Sequence, residues 1–303
     1  MRKPVLELSK ISVAFKDKKV LNELDFTAYA GEIIGVVAPN GTGKTTLFNV
    51  IANYLKPNSG EILFEGKYSY RSEKDAVSIY KKLVSFPDQS DLFNELSGVD
   101  HLKLYGNMWK GTTNHIQEII DYLNMNSYVR KKVGTYSLGM RQRLCFAMMA
   151  AADTPIMLMD EVMNGLDITN VKLISERLIQ MKKEHKLIFV ASHLLENLDL
   201  YADRVIYFKN GQIKYQRLND DQNEIYIKVA LSKDQYHLLL KENSLPTNHL
   251  YIAEELLCIP LNGMPLHQQH QWIDKLLHFN DKQLTIGQLG TVENYKKYYF
   301  ELL

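Results

Sequence analysis

The chain has 303 residues, enough for about two domains at roughly 150 residues each. Hydrophobic residues make up 46% of the sequence, which is typical of a globular protein with an apolar core. The 36 lysines and arginines nearly balance the 35 aspartates and glutamates, so the net charge of +1 excludes a general electrostatic attraction for nucleic acid.

No segment has the pattern of a secretion signal or a membrane span. The N-terminus lacks a continuous apolar stretch. The longest apolar runs, such as residues 144–152, are much shorter than the ~20 residues that cross a bilayer. Cys145 and Cys258 lie far apart in apolar surroundings and are interpreted as buried thiols rather than a disulfide. We therefore expect a cytoplasmic protein, so any pore must belong to a partner.

The first part of the chain predicts strands that lead into a glycine-rich loop. Apolar and polar residues alternate over residues 4–30, which predicts three short antiparallel strands. Residues 32–37 are almost entirely apolar, as in a strand buried on both faces. The loop at residues 38–46 follows, and then a helix is expected over residues 47–54.

The rest of the chain predicts a continued α/β domain and then a smaller one. After a helical region at 99–152, we expect strands at 156–160 and 187–190 around a helix at 171–183, and then a hairpin at 205–208 and 212–215. Residues 216–223 are polar and predict a linker. The final segments predict a small α+β domain, with strands at 224–231, 251–260 and 283–288 and helices at 233–242, 266–279 and 292–302.

The loop between the first buried strand and its helix has the pattern of a phosphate-binding loop. Its sequence is Ala38-Pro39-Asn40-Gly41-Thr42-Gly43-Lys44-Thr45-Thr46. Glycines in such a loop let backbone N–H groups surround phosphate oxygens at a helix N-terminus. Lys44 is expected to contact the β- and γ-phosphates, and the Thr45 hydroxyl to bind Mg²⁺. Ala38 stands where the pattern begins with glycine, which requires that its φ be negative.

Two acidic residues end the second buried strand. Asp160 is placed to complete the magnesium shell, and Glu161 to polarise the attacking water. A surface acidic pair at a strand end is the simple alternative. That alternative is less favoured here, because the pair follows a phosphate-binding loop and precedes Gly165-Leu166-Asp167.

A third motif, Ser137-Leu138-Gly139-Met140-Arg141-Gln142, opens a helix shortly before the acidic strand. With the two preceding motifs it resembles the ATP-binding-cassette (ABC) ATPase family, although Leu138 replaces a glycine and Met140 a glutamine. Residues 4–215 match the family's elements in order. The resemblance implies an α/β P-loop NTPase with an antiparallel N-terminal β subdomain, a mixed core sheet and a helical subdomain. We expect this domain at 1–218, its helical part at 98–152, and a C-terminal α+β domain at 219–303.

The resemblance also implies roles for individual residues. Ser137 and Gly139 would contact the γ-phosphate held by a second subunit, and Asp167 would contact that subunit. His193, at the end of a buried strand, would hydrogen-bond the γ-phosphate. Phe15 would stack on adenine, with a core position in its strand as the alternative. The ATP-binding residues of the loop would be Asn40, Gly41, Thr42, Gly43, Lys44, Thr45 and Thr46.

One further magnesium ligand is left open between two neighbours. Asp88 aligns best with the family's glutamine, whereas Gln89 has the matching chemistry. Nearby apolar residues predict a surface for a membrane partner over residues 88–96, extended by Leu102, Tyr105 and Trp109. The alternative is that the helical side chains pack inward.

The family resemblance implies an ATPase with ATP and Mg²⁺ as cofactors, working as a head-to-tail dimer with two ATP molecules sandwiched between the chains. The domain order resembles exporter ATPases that pair with a separate integral-membrane permease on the inner face of the membrane. Such systems export drugs, antimicrobial peptides, lipids or polysaccharides. The alternative is a soluble ABC ATPase that acts on ribosomes or nucleic acid. A single contiguous cassette with near-neutral charge favours transport, so no nucleic-acid partner is expected.

Overall fold

The computed structural model describes residues 3–16, 18–218, 224–242, 244–279 and 284–300. Two compact units divide the chain, Met1–Asn219 and Asp220–Leu303. Within the described ranges, no helix is long and apolar enough to cross a membrane.

The first unit contains nine strands and seven α-helices within its described residues. Its strands are β1 (Pro4–Phe15), β2 (Lys18–Tyr29), β3 (Glu32–Val37), β4 (Ser59–Phe64), β5 (Leu83–Ser85), β6 (Ile156–Asp160), β7 (Leu187–Ala191), β8 (Arg204–Lys209) and β9 (Gln212–Leu218). Its helices are α1 (Lys44–Ile51), α2 (Glu73–Tyr80), α3 (Gly98–Tyr105), α4 (Ile116–Tyr122), α5 (Leu138–Ala152), α6 (Ile168–Lys183) and α7 (Leu195–Tyr201).

These strands form two sheets. An antiparallel sheet has the order β2-β1-β4, and a mixed sheet has the order β5-β6-β7-β3-β8-β9. All neighbours in the mixed sheet are parallel except β8 and β9, which form an antiparallel hairpin. Because β3, β6 and β7 are parallel, their carboxyl ends meet at one edge of the sheet. The loops that follow these three strands are thereby brought together.

One aromatic group shows how the two sheets share a core. The Phe189 ring of β7 lies 6.0 Å from the Phe26 ring of β2, measured between centroids. It also lies 6.3 Å from the Phe48 ring of α1 in an edge-on arrangement. Such aromatic contacts add to the stabilisation from apolar burial. The contacts of Phe189 fix α1, and hence the loop before it, against the mixed sheet.

The second unit is built on a four-stranded antiparallel sheet with the order β11-β12-β10-β13. Its elements along the chain give a split βαβ topology with an added C-terminal helix. They are β10 (Tyr226–Ala230), α8 (Lys233–Glu242), β11 (Leu250–Ile252), β12 (Leu256–Pro260), α9 (Leu266–Phe279), β13 (Leu284–Gly287) and α10 (Thr291–Phe300). The predicted α+β class is confirmed, whereas the single strand predicted at 251–260 is wrong because a turn at Ala253 and Glu254 divides it.

The N-terminal strands differ from the prediction in a related way. Two long strands, β1 and β2, replace the three short ones expected over residues 4–30. Bulges interrupt their pairing, and Lys10 adopts a positive φ of 50°. Bulges shift the side-chain alternation, so one bent strand has the sequence pattern of two. Residues 216–218 belong to β9 rather than to a linker, and residues 219–223 lie outside the described ranges.

Candidate functional site

The loop between β3 and α1 turns sharply at two glycines. Gly41 and Gly43 have φ values of 71° and 117°, in the region that disfavours side chains. A Cβ atom on Gly43 would lie 2.9 Å from Val20 Cγ1, so side-chain bulk is excluded there as well. Ala38 is buried and does not have a positive φ, and its methyl group is therefore accommodated at the position where the motif has glycine.

Lys44 folds back over this loop. Its Nζ donates to the main-chain oxygens of Ala38 at 2.6 Å and of Pro39 at 3.4 Å, while Thr42 Oγ1 donates to the same Pro39 oxygen at 2.6 Å. The side chain is only 7% exposed. Burial lowers the pKa of Lys44, and the nearby carboxylates of Glu161 and Asp160 partly oppose that shift. A buried ammonium group at the centre of the loop is well placed to pair with an anion.

The loop is joined directly to the acidic strand. Thr45 Oγ1 donates to Asp160 Oδ2 at 2.8 Å, across 115 positions of sequence. Asp160 ends β6, and it pairs in register with Ala191 at the end of β7. The hydroxyl and carboxylate oxygens expected at a magnesium site are therefore neighbours.

Glu161 follows Asp160 in a left-handed conformation, with a φ of 55°. Its N–H donates to the oxygen of Ala191 at 2.9 Å, which fixes it to the end of β7. Its Oε1 lies 2.9 Å from His193 Nε2. Burial raises the pKa of Glu161, and the neighbouring Asp160 charge raises it further, whereas His193 lowers it. The pKa of Glu161 is therefore closer to neutral pH than the pKa of an ordinary glutamate.

A cavity of about 460 Å³ opens beside these residues. Both Asp88 and Gln89 line it, together with Thr45 and the acidic pair. Asp88 Oδ1 accepts a hydrogen bond from Ser90 N at 2.7 Å, and this contact lowers the pKa of Asp88. Gln89 Nε2 instead donates to Gln142 Oε1, on α5. The two candidates for the open magnesium position therefore differ in the atom that is already engaged. Asp88 uses a carboxylate oxygen, whereas Gln89 uses its amide nitrogen.

Gln142 was not singled out as functional by the sequence. It is 3% exposed and it donates to the main-chain oxygen of Glu161 at 2.8 Å. The sequence does indicate that this glutamine is buried, since the residues that follow it in the helix, 144–152, are all apolar. The structure buries all of them. A polar side chain so placed needs internal hydrogen-bond partners.

Other predicted residues lie on separate segments. Ser137 caps α5 and accepts from Met140 N at 3.4 Å, and Asp167 caps α6 and accepts from Asn170 N at 2.8 Å. Neither of them, nor Gly139, is among the residues that line the cavity. Phe15 is 50% exposed at the end of β1, so a fully buried core position is wrong for this ring.

The predicted apolar surface is only partly present. Leu102 is fully buried, and Trp109 Nε1 donates to the main-chain oxygens of Tyr80 at 2.9 Å and of Leu83 at 3.1 Å. The indole also packs against Tyr105, with 5.0 Å between ring centroids. Trp109 therefore ties the π-helical turn Gly106–Lys110, which follows α3, to the end of α2 and to β5. Including Leu102 in an exposed surface was wrong.

The segment before α3 does present apolar side chains. Phe93 is 58% exposed and Leu96 is 41% exposed, whereas Leu92 is buried. The Phe93 N–H donates to His101 Nε2 at 3.0 Å, which fixes the backbone below the exposed ring.

Comparison with known proteins identifies the family. The sequence profile described as ABC transporter matches residues 21–164. The ABC transporter ATP-binding protein YhcH of Bacillus subtilis is 32% identical over an alignment of 254 positions that covers 80% of this chain and 82% of YhcH. The chain belongs to the family of ABC transporter ATP-binding proteins. The predicted membership is confirmed. The matched residues 21–164 lie within the first unit, which we call the cassette.

Two further comparisons describe the cassette's relatives. The lantibiotic transport ATP-binding protein SrtF of Streptococcus pyogenes is 24% identical, over 73% of this chain and 94% of SrtF. A solved structure described as the dimeric structure of MJ0796, a bacterial ABC transporter cassette, matches with a TM-score of 0.64 and 20% identity. It covers 71% of this chain and 98% of the MJ0796 chain. The fold class predicted from the sequence is therefore confirmed.

Proposed function

We propose that this chain hydrolyses ATP to drive export through a separate integral-membrane permease. The observation that carries the proposal is the junction of three strand ends, where Thr45 meets Asp160 and Glu161 meets His193. A nucleotide-binding loop alone is common to many proteins, but here a carboxylate base and its histidine partner adjoin it. This arrangement serves hydrolysis as well as binding.

In this proposal the loop holds the triphosphate. Backbone N–H groups from Asn40 to Thr46 surround the phosphates at the start of α1. The Lys44 ammonium exchanges its two carbonyl contacts for oxygens of the β- and γ-phosphates, which stabilise its charge better than carbonyl dipoles do. Phe15, half exposed at the end of β1, offers its ring face to the adenine.

The oxygen donors beside the loop fit magnesium. Thr45, Asp160 and one residue of the 88–89 pair supply the hard oxygen ligands that this ion prefers. Gln89 suits the open magnesium position. Its amide nitrogen makes the contact to Gln142, so its amide oxygen can bind the ion. Asp88 already accepts from Ser90. When bound, Mg²⁺ neutralises charge on the phosphate oxygens.

Glu161 and His193 have separate roles in the hydrolysis step. Water attacks the γ-phosphorus and the bond to the β–γ bridging oxygen breaks, while Glu161 accepts the proton from the water. His193, released from Glu161 Oε1, hydrogen-bonds a γ-phosphate oxygen. The raised pKa of Glu161 makes it a stronger base than an ordinary carboxylate.

A head-to-tail dimer completes the site in this proposal. Ser137 and Gly139 do not line their own cavity, and would contact the γ-phosphate bound to the second subunit. Asp167 would lie at the same junction. Changing Ser137 to Arg tests the arrangement, because nucleotide binding by the single chain should persist while the ATP-dependent dimer is lost. Loss of affinity in the monomer would contradict action across the dimer.

Export is supported by the lantibiotic transport relative and by the domain order. The substrate class is a drug, an antimicrobial peptide, a lipid or a polysaccharide. Through its permease the chain would lie on the inner face of the cell membrane. Action on ribosomes or nucleic acid is less favoured, since the chain carries one cassette and a net charge of only +1.

The test is to isolate the protein from native membranes and identify what accompanies it. Co-purification of a polytopic membrane protein that stimulates ATP hydrolysis supports the proposal. Lys44→Met should abolish that hydrolysis without preventing co-purification. Recovery of ribosomes or DNA in place of a membrane protein would refute the export function.

A further inference from the structure

Glu161 is held in a conformation that its own residue type disfavours. A left-handed φ is unfavourable for an L-residue other than glycine, so neighbouring groups must maintain it. Three hydrogen bonds do so. The N–H of Glu161 donates to Ala191, and its main-chain oxygen accepts from Asn164 N at 3.1 Å and from Gln142 Nε2 at 2.8 Å. Of these, only Gln142 belongs to α5.

The direction of the Gln142 amide follows from its partners. The Glu161 carbonyl can only accept, so the nitrogen of Gln142 must face it. The amide oxygen is then left to face Gln89, whose own amide supplies the donor. The order Gln89, Gln142, Glu161 is therefore a directed chain of hydrogen bonds. The side chain of Gln142 is buried, so no water competes freely for its two contacts.

This chain joins three separate parts of the cassette. Gln89 lies in the segment between β5 and α3, Gln142 lies in the helix that Ser137 begins, and Glu161 follows β6. A shift of residues 88–89 would move the planar amide of Gln142. Because that amide is hydrogen-bonded to the main-chain oxygen of Glu161, the backbone of Glu161 would move with it. The carboxylate moves with that backbone, and with it the 2.9 Å contact to His193.

We propose that Gln142 is a positioning residue that holds the Glu161 main chain in place and makes its orientation depend on Gln89. The inference rests on the proposed ATPase function and deepens it. Gln142 lines the cavity but holds neither nucleotide nor magnesium in this proposal. It acts through Glu161, so its loss should lower turnover and leave nucleotide affinity nearly unchanged.

The test uses the full chain and begins with Gln142→Met, which preserves length and removes both hydrogen bonds. We expect kcat for ATP to fall by about 10-fold, the effect of weakening one positioning contact, with the ATP Kd changed less than about 3-fold. Gln142→Asn is the second variant, since it keeps a buried amide but is too short to reach both partners. It should lose turnover in the same way even if the Met variant folds poorly.

Thr154→Val is the matched control. Thr154 is buried, and its Oγ1 donates to the Ile156 oxygen at 2.9 Å, at the opposite end of the strand that Glu161 follows. This variant loses a side-chain hydrogen bond to a main-chain oxygen without touching the site. A fall in Tm with normal kcat is expected for it. An equal fall in kcat would mean that general destabilisation explains the Gln142 variants, and would overturn the inference.

A double-mutant cycle tests the link to Gln89. Gln89→Glu keeps an oxygen for magnesium and removes the nitrogen that donates to Gln142. If both residues act through one chain, then Gln89→Glu combined with Gln142→Met should lower kcat no further than the more damaging single change. Multiplicative effects would overturn the link. Normal kcat in both Gln142 variants, beside an inactive Glu161→Gln, would refute the positioning role while the ATPase function stands. No hydrolysis by the unmodified chain, alone or with its permease, would refute both.

Discussion

Glu161 Oε1 and His193 Nε2 lie 2.9 Å apart, although 31 residues separate the two positions along the chain. Their proximity follows from the sheet. Glu161 follows β6 and His193 follows β7, and these parallel neighbours are in register up to Asp160 and Ala191. The contact therefore arises from strand pairing that the whole cassette core supports. The contact places the proposed base next to the proposed γ-phosphate ligand.

Replacing Glu161 with Gln should separate binding from turnover. The amide keeps the shape of the side chain but cannot accept the proton from water, so we expect hydrolysis to fall by about 10² or more. Nucleotide binding should survive, and size-exclusion chromatography with ATP and Mg²⁺ should show a stable dimer. Glu196→Gln, an exposed change in α7, is the control and should hydrolyse ATP normally. An unchanged rate in Glu161→Gln would remove Glu161 from its role.

The pH dependence of turnover should reflect burial of the base. Because burial raises the pKa of Glu161 above 4.5, the carboxylate is protonated at a higher pH than an ordinary glutamate. Activity should be present above that raised pKa and be lost as the pH falls through it. The acid limb of the kcat/KM profile for ATP, which reports the pKa of the free enzyme, should therefore lie above pH 4.5. A limb at or below that pH would show that the free base is not desolvated.

The adjacent residues Leu92 and Phe93 provide a matched test of the permease surface. Leu92 is 4% exposed, and Leu92→Asp should prevent soluble expression by burying an unpaired charge. Phe93 is 58% exposed, and Phe93→Asp should leave folding and basal ATP hydrolysis nearly normal. It should abolish co-purification with the permease. A Phe93→Asp protein that still retained its permease would exclude this side chain from the contact.

The two cysteines should report separately on the two units. Cys145 lies in α5 of the first unit and Cys258 in β12 of the second, both fully buried and unpaired. Burial raises the pKa of each thiol to about 12. At pH 8 only about 10⁻⁴ of each would be thiolate, so a thiol reagent should label neither in native buffer.

In a urea titration each cysteine should become reactive when its own unit unfolds. Cys145→Ala and Cys258→Ala leave one reporter each and assign the transitions. Stoichiometric labelling of either thiol without denaturant would contradict the burial that the structure shows.

The parts of the site that lie at the ends of buried strands could be predicted from the sequence. The loop around Lys44, the pair at Asp160 and the buried strands before them carry local signals, namely glycines, apolar runs and acidic ends. The turn at residues 253–254 carries none, because Ala253 and Glu254 adopt left-handed φ values that these residue types rarely take. The sequence pattern there accordingly predicts one strand where the structure has a hairpin.

The contacts between distant segments had no sequence signal of this kind. Gln89 and Gln142 are 53 positions apart, and nothing in either segment alone indicates that their amides meet. Trp109 was similarly ambiguous. Its spacing suits an exposed stripe, and only the three-dimensional fold brings the indole to the main-chain oxygens of residues 80 and 83.

The left-handed backbone at residue 161 has a consequence for engineering this protein. Glycine or asparagine adopts that conformation more readily than glutamate, so either replacement relieves strain of about 1–2 kcal/mol. A screen that rewards thermal tolerance alone would therefore tend to enrich variants that have lost the carboxylate. Such a selection would raise thermal stability and lose ATP hydrolysis, which is a local case of the trade-off between stability and activity. Libraries built on this cassette should keep residue 161 fixed.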